Sequence, residues 1–149
     1  GQRERAIGLI NRAQHGGATI AAGGEAVDGG GFFLKPTILA SIDPNMEIAS
    51  TEVFGPVLSV MAFDDNEDPI SISNSTDYGL VGGVFTQDID LAMRTARDVA
   101  AGQIFVNEWY AGGVETPFGG YKKSGYGREK GREALMNYVQ TKNIGIRIG

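Results

Sequence analysis

The chain has 149 residues, 42% of them apolar and 21% charged, with a formal net charge of −5. That length supports a domain with a real core. The acidic balance, without a basic stripe among aromatics, argues against nucleic acid as a partner. It contains no cysteine and one histidine, His15. Disulfides, thiol nucleophiles and thiolate metal sites are therefore excluded within these residues. No apolar run reaches the roughly 20 residues of a membrane span, and the opening Gly1-Gln2-Arg3-Glu4-Arg5 is not a signal peptide. No membrane partner and a cytoplasmic location are expected.

In chain order, residues 3–15 set Ala6, Ile7, Ile10 and Ala13 at helical spacing opposite Arg3, Glu4, Arg5 and Arg12. This predicts an amphipathic helix stopped by Gly16-Gly17. His15 beside that stop reads as a cation on helix carbonyls rather than a base. A chain that begins almost inside a helix is expected to be part of a larger domain. Residues 18–22 predict a strand, and the glycines at 23–24 and 29–31 predict loops. Residues 32–39 are strand-like, with Pro36 marking an edge or bulge. Residues 57–63 carry Val57, Leu58, Val60, Met61 and Phe63 on both faces, as in a covered sheet. Pro69 suits the first turn of a short helix over 67–74.

Residues 80–85 predict a strand whose Gly82-Gly83 pair invites close approach by another backbone or a ligand. Asp88 caps a helix running to about Ala101, with Ile89, Ala92, Met93 and Ala96 on its apolar face. Residues 103–107 predict a strand and residues 128–138 a helix. The tail alternates Ile144, Ile146 and Ile148 with Gly145 and Arg147, the period of a strand with one apolar face. Strands alternating with helices predict an α/β fold, a largely parallel sheet with flanking helices, over residues 1–138. Residues 139–149 are expected to form a terminal strand. It pairs either with the edge of another subunit's sheet or with the edge of its own.

Chemistry is concentrated in few places. Glu115 to Glu129 holds four glycines, one proline and three aromatics. It reads either as a shaped functional loop or as a connection rich in turns. Gly125-Tyr126-Gly127 begins a dinucleotide fingerprint, but Lys130 stands where the third glycine belongs. One histidine and no carboxylate cluster leave no metal site. Glu52 precedes the rigid Phe54-Gly55-Pro56 turn. A carboxylate and a ring so spaced can hold a sugar hydroxyl pair and a flat group; the other reading is a solvated glutamate beside a core phenylalanine. Glu129, Arg128 and Lys122 offer a charge network of little weight by itself.

Five ordered stretches carry a resemblance. They are Thr51-Glu52-Val53-Phe54-Gly55-Pro56, Tyr78-Gly79-Leu80, Gly102-Gln103-Ile104-Phe105-Val106-Asn107, Pro117-Phe118-Gly119-Gly120-Tyr121-Lys122 and Ser124-Gly125-Tyr126-Gly127-Arg128-Glu129. In order and spacing they resemble the C-terminal part of the NAD(P)-dependent aldehyde dehydrogenase family, whose enzymes are much longer. The resemblance implies oxidation of an aldehyde to a carboxylic acid with NAD or NADP. A cysteine attacks the aldehyde, hydride leaves the hemithioacetal, and a glutamate activates water to hydrolyse the thioester. The cysteine, that glutamate, the oxyanion-hole asparagine and the cofactor domain lie upstream in the family and are not among these residues.

The resemblance further implies that Glu52 holds the nicotinamide ribose hydroxyls with Phe54 beside it. Phe118, Trp109 and Tyr110 would line the aldehyde pocket. Glu129 would stand behind the water-activating glutamate as a proton relay, and Lys122 and Ser124 would be scaffold. The implied partners are a small-molecule aldehyde, an N-terminal cofactor domain and further copies of the chain in a homo-oligomer joined through the terminal strand. The aromatic pocket suits apolar aldehydes and, through cation–π contact, a quaternary ammonium aldehyde. Without the nucleophile and the cofactor domain the chain is expected to be inactive alone. The alternative is a non-catalytic assembly or binding module of the same fold.

Overall fold

The computed structural model describes residues 1–110 and 112–149. They divide into two compact units, Gly1–Thr76 and Asp77–Gly149.

In the first unit, helix α1 (Gln2–His15) buries Ala6, Leu9, Ile10 and Ala13. Positions 6, 9, 10 and 13 form one stripe at helical spacing. Leu9 therefore takes the place expected of Ile7, which sits half-buried at the flank. The helix stops as predicted: Gly16 N–H bonds to Arg12 O, and Gly17 has φ +107°. His15 Nδ1 lies 2.7 Å from Asn11 O, on a carbonyl of the last turn.

A three-stranded sheet follows, β1 (Thr19–Ala22), β2 (Thr37–Ala40) and β3 (Val57–Ser59), in that order. Helix α2 (Glu47–Ser50) lies between β2 and β3 in the chain. Ile10 and Leu39 are fully buried and join Leu9, Ala18, Ile42, Ile48 and Val53 in one core. The strand predicted over 57–63 is only three residues long. Leu58 and Phe63 remain more than half exposed, so one face of it is covered within this unit. Helix α3 (Pro69–Asn74) begins at Asp68, whose carboxylate accepts from Ile70 N and Ser71 N.

The second unit pairs β4 (Tyr78–Gly79) with β7 (Tyr121–Lys122), and β5 (Val81–Val84) with β6 (Gln103–Val106). Helix α4 (Ile89–Asp98) connects β5 to β6, and Asp88 caps it by accepting from Asp90 N and Leu91 N. At the Gly82-Gly83 pair the close neighbours are side chains, Ile104 and Trp109; a Cβ on Gly83 would meet the Trp109 ring at 3.1 Å.

The α/β class is as expected, but the sheet is three small sheets of mixed direction. Connection chemistry explains this. The parallel pairs β2–β3 and β5–β6 have a helix in their connection, whereas β1 and β2 are joined by a glycine-rich loop and run antiparallel. The helix expected over 128–138 is a 3₁₀ turn, Arg132–Tyr138. Lys130 and Gly131 have φ +56° and +57° and break a right-handed start. Among the described residues, 139–149 pair with no strand, and Ile144, Ile146 and Ile148 are largely exposed. No described helix is long and apolar enough to cross a membrane, and no described group of three acidic or histidine side chains could hold a metal.

Two outcomes follow for the first unit. Leu39→Ala should cost about 2–5 kcal/mol in urea unfolding, because its site is fully enclosed; an unchanged midpoint would contradict this core. Arg12 donates to Glu47 at 2.7 and 3.2 Å, and that hydrogen bond holds the Glu47 carboxyl below its ordinary range. The folded value lies below the unfolded one. The pair's contribution is therefore complete above the ordinary carboxylate range and is lost as pH falls through the lowered value. Arg12→Ala should move the Glu47 midpoint upward in an NMR titration.

Candidate functional site

Glu52 and Phe54 sit just past α2, on a turn pinned from both sides. Val53 between them is buried. From α1, Gln2 Nε2 donates to Val53 O at 2.8 Å and Phe54 O at 2.9 Å. Arg5 donates to Val53 O at 2.8 Å and Glu52 O at 3.1 Å. Two side chains of the first helix thus satisfy three consecutive carbonyls. Phe54 has φ +57°, an uncommon conformation for an aromatic residue, and its side chain stands out at 75% exposure. Phe54 therefore stands outside the core of this unit. Phe54, Gly55 and Pro56 border a cavity of about 640 Å³ together with Phe32, Phe33 and Leu34.

The Glu52 side chain is exposed and has no hydrogen-bond partner among the described residues. Its two oxygens keep their acceptor capacity beside an open ring. That pair of acceptors fits a vicinal diol next to a flat heterocycle, the chemistry of a nicotinamide riboside. Gln2 and Arg5 escaped the sequence reading. Their bonds run 47 to 52 positions along the chain, between a side chain and a carbonyl, and leave no local pattern.

The second unit carries the other group. Phe105 is buried in β6. Beyond the strand, Asn107 clamps Thr86 through both its atoms: Oδ1 accepts from Thr86 N at 2.8 Å and Nδ2 donates to Thr86 O at 2.9 Å. Trp109 then meets Phe105 edge-on at 5.9 Å, and Tyr110 lies 6.3 Å from the same ring. Lys130 bridges onward, its Nζ 5.8 Å from the Tyr110 centroid and 5.6 Å from that of Phe118. Trp109, Tyr110 and Phe118 are thus joined in one aromatic cluster through Phe105 and Lys130. In the sequence Phe105 reads as a strand residue and Lys130 as the residue that interrupts a glycine fingerprint.

Phe118 and Glu129 exchange two backbone hydrogen bonds of 2.7 Å, so both ends of the glycine-rich loop are held together. The Glu129 side chain is exposed. Arg128 donates to Gly120 O at 3.1 Å and Gly127 O at 2.6 Å, and its guanidinium covers the Tyr121 ring. It braces the loop's backbone instead of pairing with Glu129. Gln103 Nε2 reaches Pro117 O at 3.1 Å, and Ser124 Oγ accepts from Gly79 N at 3.0 Å. A Cβ on Gly102 would fall 1.6 Å from Gly119 O, so the strand and the loop pass in backbone contact. Phe118, Ser124, Tyr126, Arg128 and Glu129 border a cavity of about 510 Å³.

The profile of the aldehyde dehydrogenase family matches residues 1–144. An aldehyde dehydrogenase of Emericella nidulans is 40% identical over 148 residues, which are 99% of this chain and 30% of that protein. A betaine aldehyde dehydrogenase of Rhizobium leguminosarum bv. trifolii is 40% identical over 151 residues, 99% of this chain and 31% of its own. The NAD+ complex of an aldehyde dehydrogenase from Bacillus cereus superposes with a TM-score of 0.91 at 40% identity, covering 99% of this chain and 30% of the other. The chain thus spans about 30% of the length of these relatives. Likeness in sequence and in backbone extends over nearly every residue described above, and the chain belongs to the aldehyde dehydrogenase family.

Proposed function

We propose that this chain is part of an NAD(P)-dependent aldehyde dehydrogenase, an oxidoreductase that converts an aldehyde to a carboxylic acid. One observation carries the reading: a carboxylate with free acceptors, Glu52, and an exposed ring, Phe54, flank a turn anchored on α1. Glu52 would accept hydrogen bonds from the two ribose hydroxyls, and Phe54 would offer an apolar face beside them. Bound there, the dinucleotide supplies the hydride acceptor.

The second unit's residues would serve the aldehyde. Trp109, Tyr110 and Phe118 would hold its organic part. Glu129, tied to Phe118 through the backbone, would pass protons toward the group that activates water. The sequence has no cysteine, so the thiol nucleophile of the family's chemistry would come from outside these 149 residues. The cofactor domain would likewise be a partner. Residues 139–149 would pair between copies in a homo-oligomer, a reading supported by the exposed Ile144, Ile146 and Ile148.

In the full-length protein containing this chain, Glu52→Ala should raise KM for the nucleotide roughly ten- to a hundredfold, as expected for lost hydrogen bonds to a charged acceptor. KM for the aldehyde should change much less; equal changes in both would argue against a ribose contact. The purified 149-residue chain should form no NAD(P)H from aldehyde. Turnover by it in the absence of any other polypeptide would overturn the division of labour proposed here.

A further inference from the structure

We infer that Lys130 is a charge filter in the aldehyde site, disfavouring aldehydes with a cationic end group and favouring those that end in a carboxylate. The inference rests on the dehydrogenase reading above. Lys130 Nζ faces the rings of Tyr110 and Phe118 at 5.8 and 5.6 Å, and these are two of the three rings assigned to the substrate. A ring face that already holds an ammonium is electrostatically occupied. A second cation brought to it meets like charge at close range, which offsets what the ring's quadrupole would contribute.

The ammonium is held from a fixed base. Glu129 on one side exchanges both its backbone hydrogen bonds with Phe118, and Gly131 on the other donates to Val114 O at 2.7 Å. Between these two anchors Lys130 adopts φ +56°, a conformation uncommon for its residue type, and its stem turns back over the two rings.

Among the described residues the charge also has no ion-pair partner. Lys35 pairs with Glu25, and Lys123 with Asp77. Among the described residues no carboxylate forms an ion pair with Lys130. An ammonium fixed among rings, with no anion in contact, is complementary to the carboxylate of an incoming ligand. The aromatic cluster by itself suits a quaternary ammonium group, and relatives named betaine aldehyde dehydrogenase are about 40% identical to this chain. Lys130 sets a like charge against such a group on the faces of Tyr110 and Phe118.

The test measures kcat/KM of the full-length enzyme containing this chain for succinic semialdehyde, betaine aldehyde and butanal, with each charged aldehyde expressed as a ratio to butanal. In Lys130→Met the succinic semialdehyde ratio should fall about tenfold and the betaine aldehyde ratio should rise by a similar factor, on the scale of one cation–π or ion contact. Lys130→Arg should keep the wild-type order. A second measurement needs no variant: added salt should lower the wild-type succinic semialdehyde ratio and raise the betaine aldehyde ratio, since the contact is exposed. Ratios unmoved by both Lys130→Met and salt, or a wild type that prefers betaine aldehyde, would overturn the charge filter while leaving the dehydrogenase reading intact. Failure of the wild type to oxidise any of the three would overturn both.

Discussion

The two 2.7 Å hydrogen bonds that Phe118 and Glu129 exchange hold the second unit's site together. They close a loop whose glycines would otherwise leave it free to sample many backbone conformations, at an entropic cost to any ordered site. With the loop closed, Phe118 is presented on one arm of the bridge, and Lys130, one residue past the other arm, reaches its ring. Remove the bridge and both the aromatic cluster and the position of Glu129 lose their reference.

Both units stabilise irregular backbone in the same way, with long polar side chains donating to backbone carbonyls. Gln2 and Arg5 do so for residues 52–54, Gln103 for Pro117, and Arg128 for Gly120 and Gly127. Each such bond contributes on the order of 1 kcal/mol net, but a carbonyl left without it would pay more when partly buried. The exposed ion pairs, such as Arg97 with Asp98, are of a different kind: both partners stay in water and the pair contributes little. Side-chain-to-carbonyl bonds hold the backbone of Glu52 and Phe54 and brace the loop that carries Phe118.

The candidate residues drew notice because they lie in short, rigid, ordered stretches. Glu52 and Phe54 lead into a Gly-Pro turn, and Phe118 and Glu129 bound a dense glycine loop. Helices α1 and α4 were legible from caps and periodicity, Asp88 for α4 and the apolar spacing of Ala6, Ile10 and Ala13 for α1, although Leu9 rather than the expected Ile7 completes the buried stripe. What was not legible has a common cause. Gln2, Arg5 and Lys130 act on residues well outside their own stretch of chain, and each looks ordinary beside its sequence neighbours.

Trp109, Tyr110, Phe118 and Glu129 became site candidates through the family resemblance. Local chemistry in the sequence by itself determined the α/β class, the stop of α1 at Gly16, the cap of α4 at Asp88, the absence of any thiol, and the candidacy of Glu52 and Phe54. Those properties depend on residue type and near spacing. Only the tertiary structure decided that the strands make three small sheets, that residues 132–138 form a 3₁₀ turn behind two residues of positive φ, and that an ammonium sits over the rings of Tyr110 and Phe118. Those outcomes depend on which backbones pass close together, as at Gly102 and Gly119, and that is set by packing rather than by any one stretch of chain.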